Sequence, residues 1–153
     1  KEKAGFMDGL NPKLIENLWK KKQFLENGNP RHKDIRTLLL ILGGGMRGAY
    51  TAGSLHALHY LGFQDVFDNV VGISVGIINA SYFISGQTNQ GIDFFCRYCS
   101  GATAINFLRF YNIIDIDFVE KCLKTGSVKL DLEKLQKSRS NLSHEILALD
   151  LGK

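Results

Sequence analysis

Two short glycine motifs constrain the fold of this chain more strongly than any other feature. The first, Gly43 to Gly48, follows an unbroken apolar run at residues 37–42. The second, Gly72 to Gly76, closes an apolar stretch that begins at Asn69. Short apolar runs predict buried strands, and a helical pattern follows each motif. The order strand, helix, strand, helix with short joints therefore predicts an α/β fold with a parallel sheet and helical crossovers.

The rest of the chain adds helices and one further strand to this prediction. Apolar residues at helical spacing predict a helix over residues 11–27, which Asn-Gly-Asn-Pro ends. The run at 37–42 has the pattern of a strand buried on both faces. The other predicted elements are helices at 49–61, 75–84, 91–108 and 132–137, and a strand at 145–149.

The positive charge of the chain is concentrated at its N-terminal end. Residues 1–36 hold nine Lys and Arg against five Asp and Glu, a net of +4, which equals the charge of the whole chain. We therefore divide the chain into a basic helical flank, 1–36, and a partial α/β domain, 37–153. The flank favours peripheral contact with an anionic membrane or phosphate surface, and a solvated helix is the alternative.

Neither the cysteines nor the histidines predict a metal site or a cofactor. Cys96 and Cys99 form a C-x-x-C pattern inside a predicted helix, without a second ligand pair, so we interpret them as a buried apolar pair. His56 and His59 share a helix face without a third ligand. We therefore expect no metal and no cofactor.

No segment of the sequence resembles a leader peptide or a membrane span. The start is charged and polar, and the purest apolar run, at residues 38–42, is far shorter than the roughly 20 residues that cross a bilayer. We expect a cytoplasmic protein with peripheral membrane contact and without a nucleic-acid partner.

The first motif, Gly43-Gly44-Gly45-Met46-Arg47-Gly48, suits the binding of negative charge. Successive glycines leave backbone N–H groups uncovered, and the next helix adds its unpaired N–H groups and positive dipole end. The same residues satisfy G-x-G-x-x-G, the dinucleotide fingerprint. However, the second strand, predicted at residues 69–73, leads into Ser74 without the acidic residue that would hold the ribose.

The second motif is G-x-S-x-G, with Ser74 between the pairs Gly72-Ile73 and Val75-Gly76. At a strand-to-helix joint, this pattern predicts a strained turn that exposes the serine hydroxyl. The N–H groups after the serine favour developing negative charge. Because parallel strands end at the same sheet edge, both motifs should meet there. The combination favours an acyl hydrolase over two coincidental turns.

Over residues 37–86, the two motifs resemble the patatin-like phospholipase family, whose signature is G-G-G-x-[RK]-G followed by G-x-S-x-G. The resemblance implies a three-layer fold, with a mainly parallel sheet flanked by helices. It also implies that Ser74 is the nucleophile of a Ser–Asp dyad, with the N–H groups of Gly43 to Gly48 as the oxyanion hole. Family substrates are phospholipids, lysophospholipids and neutral acyl esters, hydrolysed without a metal.

The sequence departs from the family at the dyad aspartate, which lies in Asp-Gly-Gly or Asp-Gly-Ala. Asp8-Gly9 precedes the first strand, and Asp150-Leu151-Gly152 matches only loosely. We expect a chain truncated at its C-terminus, with the partner beyond Lys153, and little hydrolysis by this piece alone. A non-catalytic lipid- or partner-binding module and a dinucleotide-binding fold remain alternatives.

Overall fold

A computed structural model describes residues 11–30, 34–99, 116–138 and 140–145. The helices are α1 Pro12–Glu26, α2 Gly48–Tyr60, α3 Gly76–Ile84, α4 Thr88–Asp93, α5 Ile116–Lys124 and α6 Leu132–Gln136. The strands are β1 Leu38–Ile41, β2 Asn69–Ile73 and β3 Asn141–Glu145. Short 3₁₀ turns span Gly45–Arg47 and Gln64–Val66, and a π-helical turn spans Phe94–Tyr98. The predictions for residues 100–108 and 146–149, and for Asp8, His32 and Asp150, lie outside the described residues.

The three strands form one parallel sheet in the order β1–β2–β3, so β2 is central. Ile41 of β1 pairs with Gly72 of β2, and Ile73 pairs with Glu145 of β3. Helix α2 connects β1 to β2, as a parallel pair requires. The predicted α/β fold with a parallel sheet flanked by helices is confirmed. The third strand begins at Asn141, earlier than the sequence predicted.

Local sequence signals explain the helix boundaries. The Asn11 side chain accepts the Lys13 N–H at 3.0 Å, and Pro12 occupies the first helical position of α1. Gly62 and Gly86 follow α2 and α3 with φ values of +76° and +72°, which favour glycine at a helix end. The helix predicted over 91–108 begins earlier, at Thr88, and continues into the π-helical turn as far as Tyr98.

Two clusters of buried side chains form the core. The first lies between the sheet and helices α2 and α3, and comprises Ile41, Leu55, Phe63, Val66, Phe67, Val70, Ala80, Phe83 and Ile84. The second joins α2 and α3 to the π-helical turn and α5, and comprises Ala52, Tyr82, Phe94, Phe95, Cys99, Cys122 and Val128. Helix α3 contributes buried residues to both clusters, so the turn that precedes it leads into a helix packed against each of them.

Strand β1 is buried on one face only, which corrects the expectation of two buried faces. Ile41 is 3% exposed and Leu39 packs against the first cluster. Leu38 and Leu40, which point to the other face, are 61% and 52% exposed. The expectation failed because an apolar run has the same pattern whether or not a second layer covers it.

Helix α1 is attached to the sheet through a buried ion pair. Lys21 donates to Asp68 Oδ2 at 2.5 Å and to Thr37 Oγ1 at 2.7 Å, and the Thr37 N–H donates to the same carboxylate at 2.8 Å. Burial acts to raise the pKa of Asp68, but these hydrogen bonds hold that pKa below its ordinary value. Beside the pair, the Trp19 and Phe63 rings meet edge to face, with centroids 5.1 Å apart.

Within the described ranges, every helix is too short or too polar to cross a membrane.

Candidate functional site

The turn between β2 and α3 holds Ser74 in the left-handed region, with φ at 54°. Among the described residues, it is the single non-glycine residue with a positive φ. An L-residue in this region costs about 1–2 kcal/mol, which the packing of the strand and helix on either side must offset. The side chain of Ser74 is exposed. The turn therefore presents this hydroxyl at the carboxyl end of the central strand.

Two glycines permit the close approach of strand and helix around Ser74. A Cβ on Gly72 would lie 2.5 Å from the Ile77 Cα, and a Cβ on Gly76 would lie 2.2 Å from the Ile41 carbonyl oxygen. Both distances are below any normal contact, so only glycine fits at either position. The intervening Ile73 and Val75 are half-buried. These five residues, 72–76, form the sharp strand-to-helix turn that the G-x-S-x-G pattern predicted.

The glycine loop at residues 43–48 begins beside Ser74. The register pairs Ile41 with Gly72, so Gly43 is level with Ser74 two residues further along. A Cβ on Gly43 would lie 2.7 Å from the Ser74 Cβ and 2.8 Å from the Ile73 carbonyl oxygen. The structure therefore brings the two predicted motifs into direct contact at one edge of the sheet.

Backbone donors of the glycine loop are left unpaired. Gly44 and Gly45 have φ values of +147° and +56°, and a 3₁₀ turn follows in which the Arg47 N–H donates to the Gly44 carbonyl at 3.1 Å. Across the described part of the chain, the N–H groups of Gly44 and Gly45 donate to no acceptor. Free N–H groups in this arrangement can stabilise an anionic oxygen.

Two helix N-termini add positive electrostatic potential at the same edge. Helix α2 begins at Gly48 and α3 at Gly76, each at the last residue of one of the motifs. The first turn of a helix carries a partial positive charge and unpaired N–H groups. Met46 and Arg47 are exposed, and a Cβ on Gly44 would lie 3.0 Å from the Arg47 Nε, so the arginine lies alongside the loop.

Two residues that the sequence did not single out hold the far end of the loop. Asn79 is 2% exposed, and its Nδ2 donates to the Gly48 carbonyl at 3.0 Å. A Cβ on Gly48 would lie 2.5 Å from the Phe95 ring. A lone amide in the mostly apolar helix α3 was the available signal, because a buried amide requires a hydrogen-bond partner.

Ser74 has no hydrogen-bonded general base in the part of the chain that the structure describes. The Ser74 hydroxyl makes no hydrogen bond within those ranges, and they hold no group of three His, Cys, Asp or Glu residues suited to a metal ion. His56 is half-buried, and its Nδ1 contacts Thr88 Oγ1 at 3.0 Å, so this histidine has its own partner.

The C-x-x-C pattern does not form the buried pair that we expected. Cys96 is exposed and Cys99 is buried, because the π-helical turn directs them to different environments. Burial, with Cys122 nearby, raises the pKa of the Cys99 thiol to about 11. A thiol with this pKa is almost fully protonated near neutral pH and is therefore a poor nucleophile.

Comparison with known proteins gives one family and one curated relative. The model of the family described as "Patatin-like phospholipase" matches residues 39–138, which include both glycine motifs. "Uncharacterized protein YjjU" from Escherichia coli (strain K12) is 36% identical over 87 residues, which cover 55% of this chain and 24% of the relative. The chain thus aligns with about a quarter of the relative's length. No solved structure matches the chain significantly.

Proposed function

The chain belongs to the patatin-like phospholipase family, and we propose that it is a serine lipid acyl hydrolase with Ser74 as its nucleophile. One observation carries the proposal. The strained turn at Ser74, with φ at 54°, lies against Gly43, the first residue of a loop with unpaired N–H donors. A nucleophile beside preorganised donors is the arrangement that acyl transfer requires.

In the proposed reaction, the ester carbonyl of the substrate lies between Ser74 Oγ and the loop. Ser74 Oγ attacks the carbonyl carbon and transfers its proton to a base. The carbonyl oxygen becomes an oxyanion that the N–H groups of Gly44 and Gly45 stabilise. Donors of this kind each contribute about 10²–10³-fold to the rate of acyl transfer. The dipoles of α2 and α3 favour the same negative charge.

The second half of the proposed reaction regenerates the serine. The tetrahedral intermediate collapses, and the alcohol leaves with the proton that the base returns. Water then attacks the acyl ester on Ser74, and the base accepts a proton from this water. The base returns the proton to the serine oxygen as that oxygen leaves, and the carboxylic acid is released. We propose that the base is an aspartate outside the described residues, as the family resemblance implies.

The proposed substrates are phospholipids, lysophospholipids or neutral acyl esters. We also propose peripheral membrane contact through the basic N-terminal segment. Helix α1 supports this proposal because Leu14 and Trp19 are exposed near the exposed Lys13 and Lys20. Apolar and basic side chains on one helix favour the surface of an anionic bilayer.

The test is acyl-ester turnover by the full-length protein and its Ser74→Ala variant. We expect hydrolysis of short-chain esters and lysophospholipid by the wild type, with a loss of at least about 10³-fold in the variant. Ser54→Ala is the matched control, because Ser54 is an exposed serine whose hydroxyl donates to the Tyr50 carbonyl within α2. Equal turnover by the wild type and Ser74→Ala would refute the proposed nucleophile.

A non-catalytic lipid-binding module on the same fold is the second candidate, favoured by the exposed apolar and basic residues of α1. It predicts binding to anionic vesicles that weakens as salt rises and that survives Ser74→Ala. Binding of this kind in a folded protein without ester turnover would favour the module over the hydrolase.

A further inference from the structure

We infer that Asn79 is a positioning residue, which fixes the glycine loop at residues 43–48 relative to Ser74. The inference rests on the proposed function, because it assigns the loop donors a role in acyl transfer. It adds a residue outside both glycine motifs, and it identifies how the fold keeps the donors and the nucleophile at a constant separation.

The first step of the argument is the hydrogen bond from Asn79 to the loop. Its Nδ2 donates to the Gly48 carbonyl at 3.0 Å, and Gly48 is both the last loop residue and the first residue of α2. Asn79 lies in the first turn of α3, the helix that follows Ser74 directly. This side-chain hydrogen bond therefore joins helix α3, which follows the Ser74 turn, to the glycine loop that carries the N–H donors.

The second step is that Gly48 is also held from another direction. A Cβ on Gly48 would lie 2.5 Å and 2.7 Å from two atoms of the Phe95 ring, so the ring packs directly on the glycine Cα. Phe95 is 2% exposed within the second core cluster. The ring prevents Gly48 from moving toward the core, and the Asn79 amide restrains its carbonyl.

The third step concerns the opposite end of the loop. Gly43 is packed against Ser74 and the Ile73 carbonyl. Both ends of a six-residue loop are thus fixed to the strand and helix that flank Ser74. The unpaired N–H groups of Gly44 and Gly45 lie between these two fixed ends, so the position of Gly48 limits where they can lie.

The chemistry of residue 79 supports a role other than packing. Asn79 is surrounded in α3 by buried apolar residues such as Ala80 and Phe83, and its Oδ1 has no hydrogen-bond partner among the described residues. A buried amide oxygen without a partner is unfavourable. A leucine has the same branched arrangement of side-chain heavy atoms and brings no polar atom of its own into the core. The amide is therefore explained by its bond to Gly48 and not by the packing of the core.

The consequence for catalysis follows from the sensitivity of acyl transfer to geometry. A displacement of about 1 Å between catalytic groups can lower a rate by about 10²-fold. Without the Asn79 bond, the loop donors should sample more positions relative to Ser74. We expect KM to change little, because in the proposed reaction the loop donors stabilise the oxyanion that forms after the substrate has bound.

The experiment compares Asn79→Leu and Asn79→Ala with the wild type in the full-length protein. Ser81→Ala is the matched control, since Ser81 is also a buried polar residue of α3 but bonds within its own helix, to the Ile77 carbonyl. Three measurements are made: the kinetics of a short-chain ester, giving kcat and KM, the melting temperature, and hydrogen–deuterium exchange of the Arg47 and Gly48 amides, which donate to the loop carbonyls of Gly44 and Gly45.

We expect both Asn79 variants to lower kcat by about 10–100-fold with KM within about threefold, and Ser81→Ala to leave both unchanged. We also expect the loop amides to exchange faster in both variants at temperatures where the protein is folded. Exchange needs no activity, so unchanged loop exchange would overturn the inference even if the wild type hydrolysed nothing. Wild-type kcat in folded Asn79→Leu would overturn it while leaving the proposed function intact.

Discussion

Replacing Lys21 by methionine tests whether the N-terminal helix is an integral part of this fold. Lys21 and Asp68 are 1% and 2% exposed, so the substitution leaves a carboxylate buried without its countercharge. Among the described residues, the remaining donors to Asp68 are the Thr37 N–H and hydroxyl. Breaking a buried pair in this way destabilises a protein by about 3–5 kcal/mol. For a domain of this size, we expect the melting temperature to fall by roughly 6–20 °C.

The pH dependence of this effect has a defined sign. In the wild type, the pKa of Asp68 lies below its ordinary value, so the pair stabilises the fold above the unfolded pKa of about 3.9 and loses this effect as pH falls through the folded pKa. In Lys21→Met, burial dominates and raises the pKa of Asp68, so the folded state binds a proton more readily than the unfolded chain. The difference in the free energy of unfolding between the wild type and Lys21→Met should be largest near pH 7 and should shrink toward pH 4.

Urea unfolding followed by circular dichroism and by the fluorescence of Trp19 measures both effects. Trp19 is the single tryptophan of the sequence and packs on Phe63, so its emission reports whether α1 is attached. The control is Lys20→Met, which removes an exposed pair with Glu16 and should leave the urea midpoint almost unchanged. If Lys21→Met unfolds at the same urea concentration as Lys20→Met, the buried pair is not the attachment that the structure indicates.

Two further predictions concern the glycine loop and the strained turn. Gly43→Ala should slow the reaction of Ser74 with a fluorophosphonate by more than about tenfold, because the new Cβ would lie 2.7 Å from the Ser74 Cβ. Gly53→Ala, on the exposed side of α2 with open space around it, should leave that rate unchanged and stabilise the protein by about 0.5–1 kcal/mol. Ser74→Gly should raise the free energy of unfolding by about 1 kcal/mol relative to Ser74→Ala, since glycine relieves the strain at φ 54°. Equal stability of these two variants in urea would show that the turn is not strained.

Much of the fold could be predicted because its signals are local. Strand β2 was predicted at residues 69–73 and α3 to within one residue, since a glycine turn separates them and each has its own periodicity. The proximity of Gly43 and Ser74 could also be predicted from the sequence, because the carboxyl ends of neighbouring parallel strands lie at the same sheet edge.

The remaining features depend on contacts between residues distant in sequence. Lys21 and Asp68 are separated by 47 positions, and nothing near either residue indicates burial or pairing. Asn79 and Gly48 are 31 positions apart, and their hydrogen bond appears only when α2 and α3 pack together. The exposure of Leu38 and Leu40 in β1 was not predicted for a related reason. The apolar pattern of a strand does not show whether helices pack against one face of it or both.

Labelling of the full-length protein with a fluorophosphonate, followed by peptide mass spectrometry, tests the central claim most directly. The reagent forms a stable adduct only with an activated serine, so it measures activation at Ser74 without knowledge of the natural substrate. We predict one adduct, on the peptide that contains Ser74, and its absence from Ser74→Ala. A folded protein that carries no adduct, or an adduct on another serine, would contradict the assignment of Ser74 as the nucleophile.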